Sequence, residues 1–326
     1  MQRRAVIQRS LIAGGVMLAG GVPLVVRAAM DAQRRQSPGE SARAGLIERA
    51  IPVSGERLPV LGVGTNNYSP TSAEERAARK AVLHGLTTAG CRVIDTAPAY
   101  RESESVIGEL LSEIGNRDQA FIATKVTARA GGRAEGVAML AESMRRLRTK
   151  VLDLVMVHNM VGASVMLPVL REWQRDQRIR YVGITTSSDR QYPEMLGLMR
   201  STPLDFIQVD YSIANRSAAA EILPLAIDRK TAVLINLPFG GRRDGNLFAR
   251  VRDKRLPDWA AEFDIASWAQ FFLKYVISHP AVTCAIPGMT KLANLNDNLG
   301  AARGRLPDAQ QRTRMENYWD ELSGSA

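Results

Sequence analysis

The amino-acid sequence predicts an α/β fold, an eight-stranded parallel (β/α)8 barrel of the TIM type preceded by a β-hairpin. Three observations carry that expectation. Short apolar runs alternate with helical stretches of about 10 to 15 residues, the pattern of βαβ units and a parallel sheet. Eight such runs occur, enough to close a barrel. Three of them end in a polar side chain: Val93-Ile94 in Asp95, Phe121 to Thr124 in Lys125, and Leu154 to Val157 in His158.

The elements follow in order. Ile51 to Val60 has turn residues, Ser54-Gly55, between apolar flanks and reads as a hairpin. Leu61 to Thr65 is the first barrel strand. Ser72 to Ala89 opens Ser-Ala-Glu-Glu and repeats apolar residues at helical spacing. The Asp95 strand runs through a Pro-containing turn bearing Tyr100 into a helix with Glu102 and Glu104 in its first turn, where the helix dipole favours acids. Helices near 135–148, 163–175 and 217–229 separate strands at 121–125, 154–159, 179–185, 206–211 and 232–236; Thr283 to Ile286 is the eighth strand. Glycine and charge in Gly240 to Leu247, before an aromatic helix, suggest a loop over the mouth. Trp268 reads as a packing residue.

An aspartate after a strand is often only a cap, and a loop tyrosine often only packs. Recurrence argues otherwise here, because every strand of a parallel barrel sends its carboxyl end to the same mouth. Asp95, Tyr100, Lys125 and His158 are therefore expected to converge. A carbonyl accepts hydride only if its oxygen is polarised and protonated, and free tyrosine, with a pKa of about 10, needs a neighbouring cation to serve. Lys125 is that cation, and Asp95 is the anion that keeps a buried lysine charged.

With these pieces together the sequence resembles the aldo-keto reductase superfamily from about Ile51 to about Ala302. The resemblance rests on Gly62-Val63-Gly64-Thr65, Asp95-Thr96-Ala97 with Tyr100, Ala123-Thr124-Lys125, His158-Asn159, and Ile286-Pro287-Gly288 followed by Asp297-Asn298. It implies reduction of an aldehyde or ketone, or oxidation of the alcohol, by hydride transfer from a nicotinamide cofactor, with Tyr100 as general acid/base and His158 orienting the substrate oxygen. It further implies that Gly64 and Thr65 approach the cofactor, Thr185 and Gln208 hold its carboxamide, Tyr211 stacks on the nicotinamide, and Asp297 and Asn298 meet the adenine.

Some positions depart from the family. The usual Ser-Asn pair after Gly183 is Thr185-Thr186, a phosphate-binding lysine is replaced by Gly288, and a frequent arginine by Asn294, which leaves Lys291 to meet a 2′-phosphate. NADP is the expected cofactor, with NAD as the alternative, and no metal is called for. No Gly-x-Gly-x-x-Gly opens a βαβ unit, so a Rossmann site is rejected. Two other readings stand beside reduction: an aldolase-type barrel with Lys125 as a Schiff-base nucleophile, and a cofactor-loaded sensor with little turnover.

The composition, 45% hydrophobic and 23% charged, is that of a globular domain. The net charge of +10 is concentrated: residues 1–50 hold eight arginines against three acids, half the excess, and no basic run interleaved with aromatics follows. Nucleic-acid binding is therefore not expected; the expected partner is a small carbonyl compound. Residues 1–29 read as an export signal, with Arg3-Arg4 resembling the twin-arginine type and an uncharged stretch from Ser10 to Val26. That reading implies a periplasmic protein that meets the membrane only through its signal; the alternative is an uncleaved membrane anchor, for which 17 uncharged residues are at the short edge of a spanning helix. Residues 30–50 read as a linker, residues 51–326 as the barrel, and Cys91 and Cys284 as separate buried thiols.

Overall fold

A computed structural model describes residues 45–130, 132–241 and 245–324. The expected signal at 1–29 lies outside them, as does most of the linker. Two antiparallel strands, β1 (Glu48–Ala50) and β2 (Arg57–Pro59), form the hairpin. It begins three residues earlier than expected, within the stretch assigned to the linker. The reason is local: β1 is a solvent-facing ribbon whose charges hide it in the sequence, with Glu48 paired to Arg57 at 3.2 Å.

The barrel strands are β3 (Val63–Gly64), β4 (Val93–Asp95), β5 (Phe121–Val126), β6 (Leu152–His158), β7 (Ile179–Thr185), β8 (Phe206–Asp210), β9 (Ala232–Asn236) and β10 (Cys284–Ala285). All pair in parallel, each with its neighbour in sequence. The seam between β10 and β3 closes through bridges Leu61 to Ala285 and Gly64 to Gly288, with Gly64 N donating to Pro287 O at 2.9 Å. Gly64 has to be glycine at this seam, because a Cβ there would lie 2.7 Å from the Ile286 carbonyl oxygen.

Helices α1 (Ala73–Thr88), α2 (Ser103–Ile114), α3 (Gly132–Arg146), α4 (Ala163–Arg175), α5 (Tyr192–Ser201) and α6 (Ile222–Asp228) cover the first strands. The short α7 (Leu247–Arg250), then α8 (Trp268–Ile277), α9 (Leu292–Ala301) and α10 (Ala309–Ser323), complete the layer. Strand alternation divides the apolar residues into two cores. Phe121, Leu154, Phe206 and Leu234 fill the barrel, and Ile51 and Leu58 from the hairpin join them. Ile122, Val155, Ile207 and Val233, one residue away on the same strands, face the helices.

The carboxyl-terminal helix α10 was not anticipated, although Asp308 and Gln311 form a capping box that the sequence spells out. Its Met315 and Trp319 are buried against the barrel. Trp268 packs as expected, stacked on Phe272, and Trp259 packs against Phe271 and Tyr318. Cys91 and Cys284 are free and buried. Among the described residues no helix is long and apolar enough to cross a membrane.

Candidate active site

The register sets the site. Gly64 lies opposite Asp95 and Asp95 opposite Ala123, so Lys125, two residues on, projects from the same inner face of β5. His158, Thr185 and Gln208 line up across β6, β7 and β8. At the carboxyl ends of these strands opens a cavity of about 790 Å3, whose wall includes Gly64, Thr65, Asp95, Tyr100 and His158. That volume is in the range of small-molecule and cofactor sites.

Lys125 lies under the cavity floor, 1% exposed. Its Nζ donates to Asp95 Oδ1 at 2.8 Å, Asp95 Oδ2 at 2.9 Å and Thr96 O at 2.8 Å. Burial alone would strip its proton, but Asp95 and then Tyr100 outweigh that and hold its pKa above the ordinary lysine value. Burial pushes the Asp95 carboxyl up, opposed by Lys125 and by Gln208, whose Nε2 donates to Oδ1 at 2.7 Å. We take the pair as ionised, since each charge is met by the other in close geometry.

Tyr100 stands over this pair, with Lys125 Nζ 5.0 Å from its ring centroid. Its ring meets that of His158 edge-on at 6.2 Å. Lys125 was expected to bring the phenol's acidity toward neutrality; burial wins, and the Tyr100 pKa is raised although Lys125 opposes it. The phenol therefore keeps its proton at neutral pH. Burial, and then Lys125, push His158 down to about 4, so its imidazole is neutral there.

A buried lysine paired to a carboxylate thus lies beside a tyrosine and a neutral histidine at the mouth of a parallel barrel. Residues 60–318 match the Aldo/keto reductase family. The chain belongs to that family. It is 32% identical over 191 residues to aldo-keto reductase YhdN of Bacillus subtilis, a match covering 54% of this chain and 56% of that one. It is 26% identical to methylglyoxal reductase YeaE of Escherichia coli, over 81% of this chain and 92% of that one. Among solved structures, an aldo/keto reductase from Klebsiella pneumoniae in complex with NADP and acetate superposes with a TM-score of 0.65 at 23% identity, covering 81% of this chain and 93% of that one.

The cofactor positions that the family resemblance suggested fall in four different places. Gly64 and Thr65 line the cavity. Gln208 and Thr185 lie beneath it, linked by Thr185 Oγ1 donating to Gln208 Oε1 at 2.8 Å, so the Gln208 amide is engaged on both sides. Tyr211 is not in the cavity at all. It is fully buried in the outer layer, stacked on Tyr275 at 5.6 Å, with its hydroxyl 2.9 Å from that of Tyr275. This corrects the stacking role: Gln208 and Tyr211 are three residues apart on an extended chain, and side chains of odd separation point to opposite faces.

On α9, Asp297 accepts from Ser267 Oγ and Gln270 Nε2, both at 2.9 Å. These contacts fasten it to the start of α8. Asn298 is buried beside it, and Lys291 is exposed just before the helix.

Several cavity residues escaped the sequence reading, among them Asn66, Arg190 and Asn215 in the connections between strands and helices, and Asp210 and Asn236, although the last two close β8 and β9 as Asp95 closes β4. The same strand-end rule would have found both. Asp210 accepts from Asn215 Nδ2 at 2.7 Å and Tyr192 Oη at 3.1 Å. Asn236 donates to Thr186 O at 3.0 Å, while its buried Oδ1 has no hydrogen-bond partner. An orphaned acceptor in a cavity wall suits a ligand that brings an N–H. Elsewhere in the wall Gly288 leaves bare backbone: a Cβ there would meet nothing closer than 3.9 Å. The cavity thus fits the amide-bearing end of a nicotinamide cofactor. Of the expected loop, Gly240 and Gly241 line the wall, next to Phe239, and residues 242–244 lie outside the described residues.

Proposed function

We propose that this chain reduces an aldehyde or ketone to the alcohol with NADPH, Tyr100 acting as general acid. One observation carries the reading: a protonated tyrosine, a charged lysine held by a carboxylate and a neutral histidine meet at one cavity. The bound cofactor would supply hydride to the carbonyl carbon. Tyr100 would give its proton to the carbonyl oxygen, and Lys125 would stabilise the tyrosinate left behind. Neutral His158 would donate an N–H to the same oxygen and orient it. General acid catalysis of this kind contributes about 10² to 10⁴-fold.

Asn236, Gly64 and Thr65 would hold the nicotinamide end. Lys291 would meet the 2′-phosphate, and Asn298 the adenine. NADP is favoured because the Klebsiella relatives were solved with NADP and NADPH. The Schiff-base reading is disfavoured, since Lys125 commits its three N–H donors to Asp95 and Thr96. Export by the twin-arginine route rests on Arg3-Arg4 and the uncharged stretch after them; replacing the pair by Lys-Lys and locating the protein tests it.

The enzymatic reading is tested by stopped-flow NADPH oxidation with a carbonyl panel that includes methylglyoxal, together with trapping of any Lys125 adduct by borohydride. Oxidation without an adduct is expected; an adduct without oxidation would replace the proposal by the aldolase reading. Lys291→Ala should weaken NADPH binding by about 1 to 3 kcal/mol and leave NADH nearly unchanged, the range for a charge-assisted contact. Equal losses for both nucleotides would remove Lys291 from the phosphate site.

A further inference from the structure

Beside the cavity, on the far side of Tyr100, lies a second cleft of about 480 Å3. Asn66 and Tyr100 border both. Into this cleft projects Arg79 of α1, an arginine only 9% exposed. Its Nε donates to Asn67 O at 3.4 Å and its Nη1 to Thr290 O at 3.2 Å, and its guanidinium lies 6.0 Å from the Tyr68 ring centroid. Among the described residues no carboxylate comes within ion-pair distance of it. Two long contacts to neutral carbonyls, with Glu75 four residues earlier acting on it only through its charge, are weak compensation for a buried cation.

The rest of the cleft is also short of negative charge. Its carboxylate, Glu75, is held by Thr71, whose backbone N–H and hydroxyl donate to Oε2 at 2.8 and 3.2 Å. Those bonds, and after them the charge of Arg79 one turn on, keep the Glu75 carboxyl below the usual range, and no hydrogen bond joins the two side chains. Arg101 adds a second guanidinium, exposed and without an ion pair among the described residues. It directly follows Tyr100 and sits in the left-handed region at φ 54°, which a non-glycine residue rarely adopts. Two guanidiniums thus face one carboxylate that is already engaged, and Ser69 and Asn66 supply neutral hydrogen-bonding groups.

We propose that this cleft is an anion subsite, and that it receives the carboxylate or phosphate of a carbonyl substrate whose reacting carbon lies at Tyr100. The assignment rests on the reductase reading of the neighbouring cavity and narrows its substrate class to carbonyl compounds with an acidic tail. A guanidinium offers two parallel N–H donors to such an oxyanion, which a lysine cannot.

The test compares glutarate semialdehyde with its methyl ester as substrates of the full chain, in the parent protein, Arg79→Gln and Arg79→Lys. The parent should prefer the acid in kcat/KM by about tenfold or more, the value of one charge-assisted contact. Arg79→Gln should erase that preference while leaving the ester within about threefold, and Arg79→Lys should keep part of it. Should Arg79→Gln fail to fold, Asn67→Asp, which places a carboxylate on the cleft wall, should lower the preference in the same direction. A parent preference near one, or a preference unchanged by these substitutions, overturns the subsite. If Arg79→Gln instead weakens NADPH but not NADH and leaves the acid-to-ester ratio unmoved, the anion is the cofactor's phosphate and the substrate assignment falls. If neither aldehyde oxidises NADPH, the reductase reading fails on its own, and calorimetric titration with glutarate still decides the site. Binding that Arg79→Gln weakens supports it; binding that is absent or unchanged overturns it.

Discussion

Tyr100 and Tyr211 present the same chemistry in two settings. Each is a largely buried phenol beside a basic side chain: Lys125 Nζ is 5.0 Å from the Tyr100 ring centroid, and Arg312 Nη2 is 2.5 Å from the Tyr211 hydroxyl. Each meets a histidine edge-on, His158 at 6.2 Å and His279 at 5.8 Å. Burial raises the pKa of both phenols and lowers both histidines to about 4. The difference is access. Tyr100 and His158 face the cavity, whereas the Tyr211 hydroxyl is enclosed by Tyr275 and Arg312, and Tyr275 in turn bonds Glu316 of α10 at 2.6 Å. A tyrosine, a cation and a histidine make a site only where a strand end leaves room for a ligand; turned outward by one residue, the same set fastens a helix.

Removing the two cations should separate these roles. Lys125→Met leaves Asp95 buried without its lysine, which typically costs about 3 to 5 kcal/mol, and takes away the charge that, in the proposed mechanism, stabilises the tyrosinate. Chemical denaturation and steady-state kinetics should show both losses; full activity in a folded Lys125→Met protein would remove the lysine from the mechanism. Arg312→Met loses its bond to Tyr211 and its place 5.0 Å over the Tyr275 ring. It should cost about 1.5 to 3 kcal/mol, as for hydrogen bonds to charged groups, with kcat/KM unchanged. A kinetic defect without a stability loss would reverse the comparison.

Tyr211→Phe should be milder still, about 0.5 to 1.5 kcal/mol by thermal or urea unfolding, with NADPH affinity intact. A large loss of cofactor affinity would restore the stacking role that its outward orientation argues against. The histidines give the smallest effect. In the unfolded chain each takes up a proton near pH 6.5, in the folded protein only near 4. Between those values the unfolded state binds more protons, so stability should fall as the pH is lowered through that window and stay level above it. Denaturation midpoints across that window should flatten in His279→Asn, and in His158→Asn as well; unchanged slopes in both would mean that the imidazoles are not neutral in the fold.

The legibility of the sequence follows from the same physics. Asp95, Lys125 and His158 could be read because each closes an apolar strand and parallel topology brings strand ends together. Asp210 and Asn236 obey that rule and were available to it. Tyr211 was misplaced because a family role was assigned without counting strand parity from Gln208. The Arg79 cleft could not be seen at all: it brings α1, the loop after β4 and Thr290 together, residues whose separation along the chain carries no period. Strand β1 was hidden because an exposed two-stranded ribbon buries too little to show an apolar alternation.

The claim that Tyr100, and not its buried counterpart, donates the proton is tested most directly by single-turnover stopped-flow with preformed NADPH complexes of Tyr100→Phe and Tyr211→Phe. Tyr100→Phe should bind NADPH like the parent and lose about 100-fold or more in the hydride-transfer rate, while Tyr211→Phe transfers hydride at the parent rate. Retention of more than about a tenth of the rate by Tyr100→Phe, where general acid catalysis supplies at least about 10²-fold, would contradict the account.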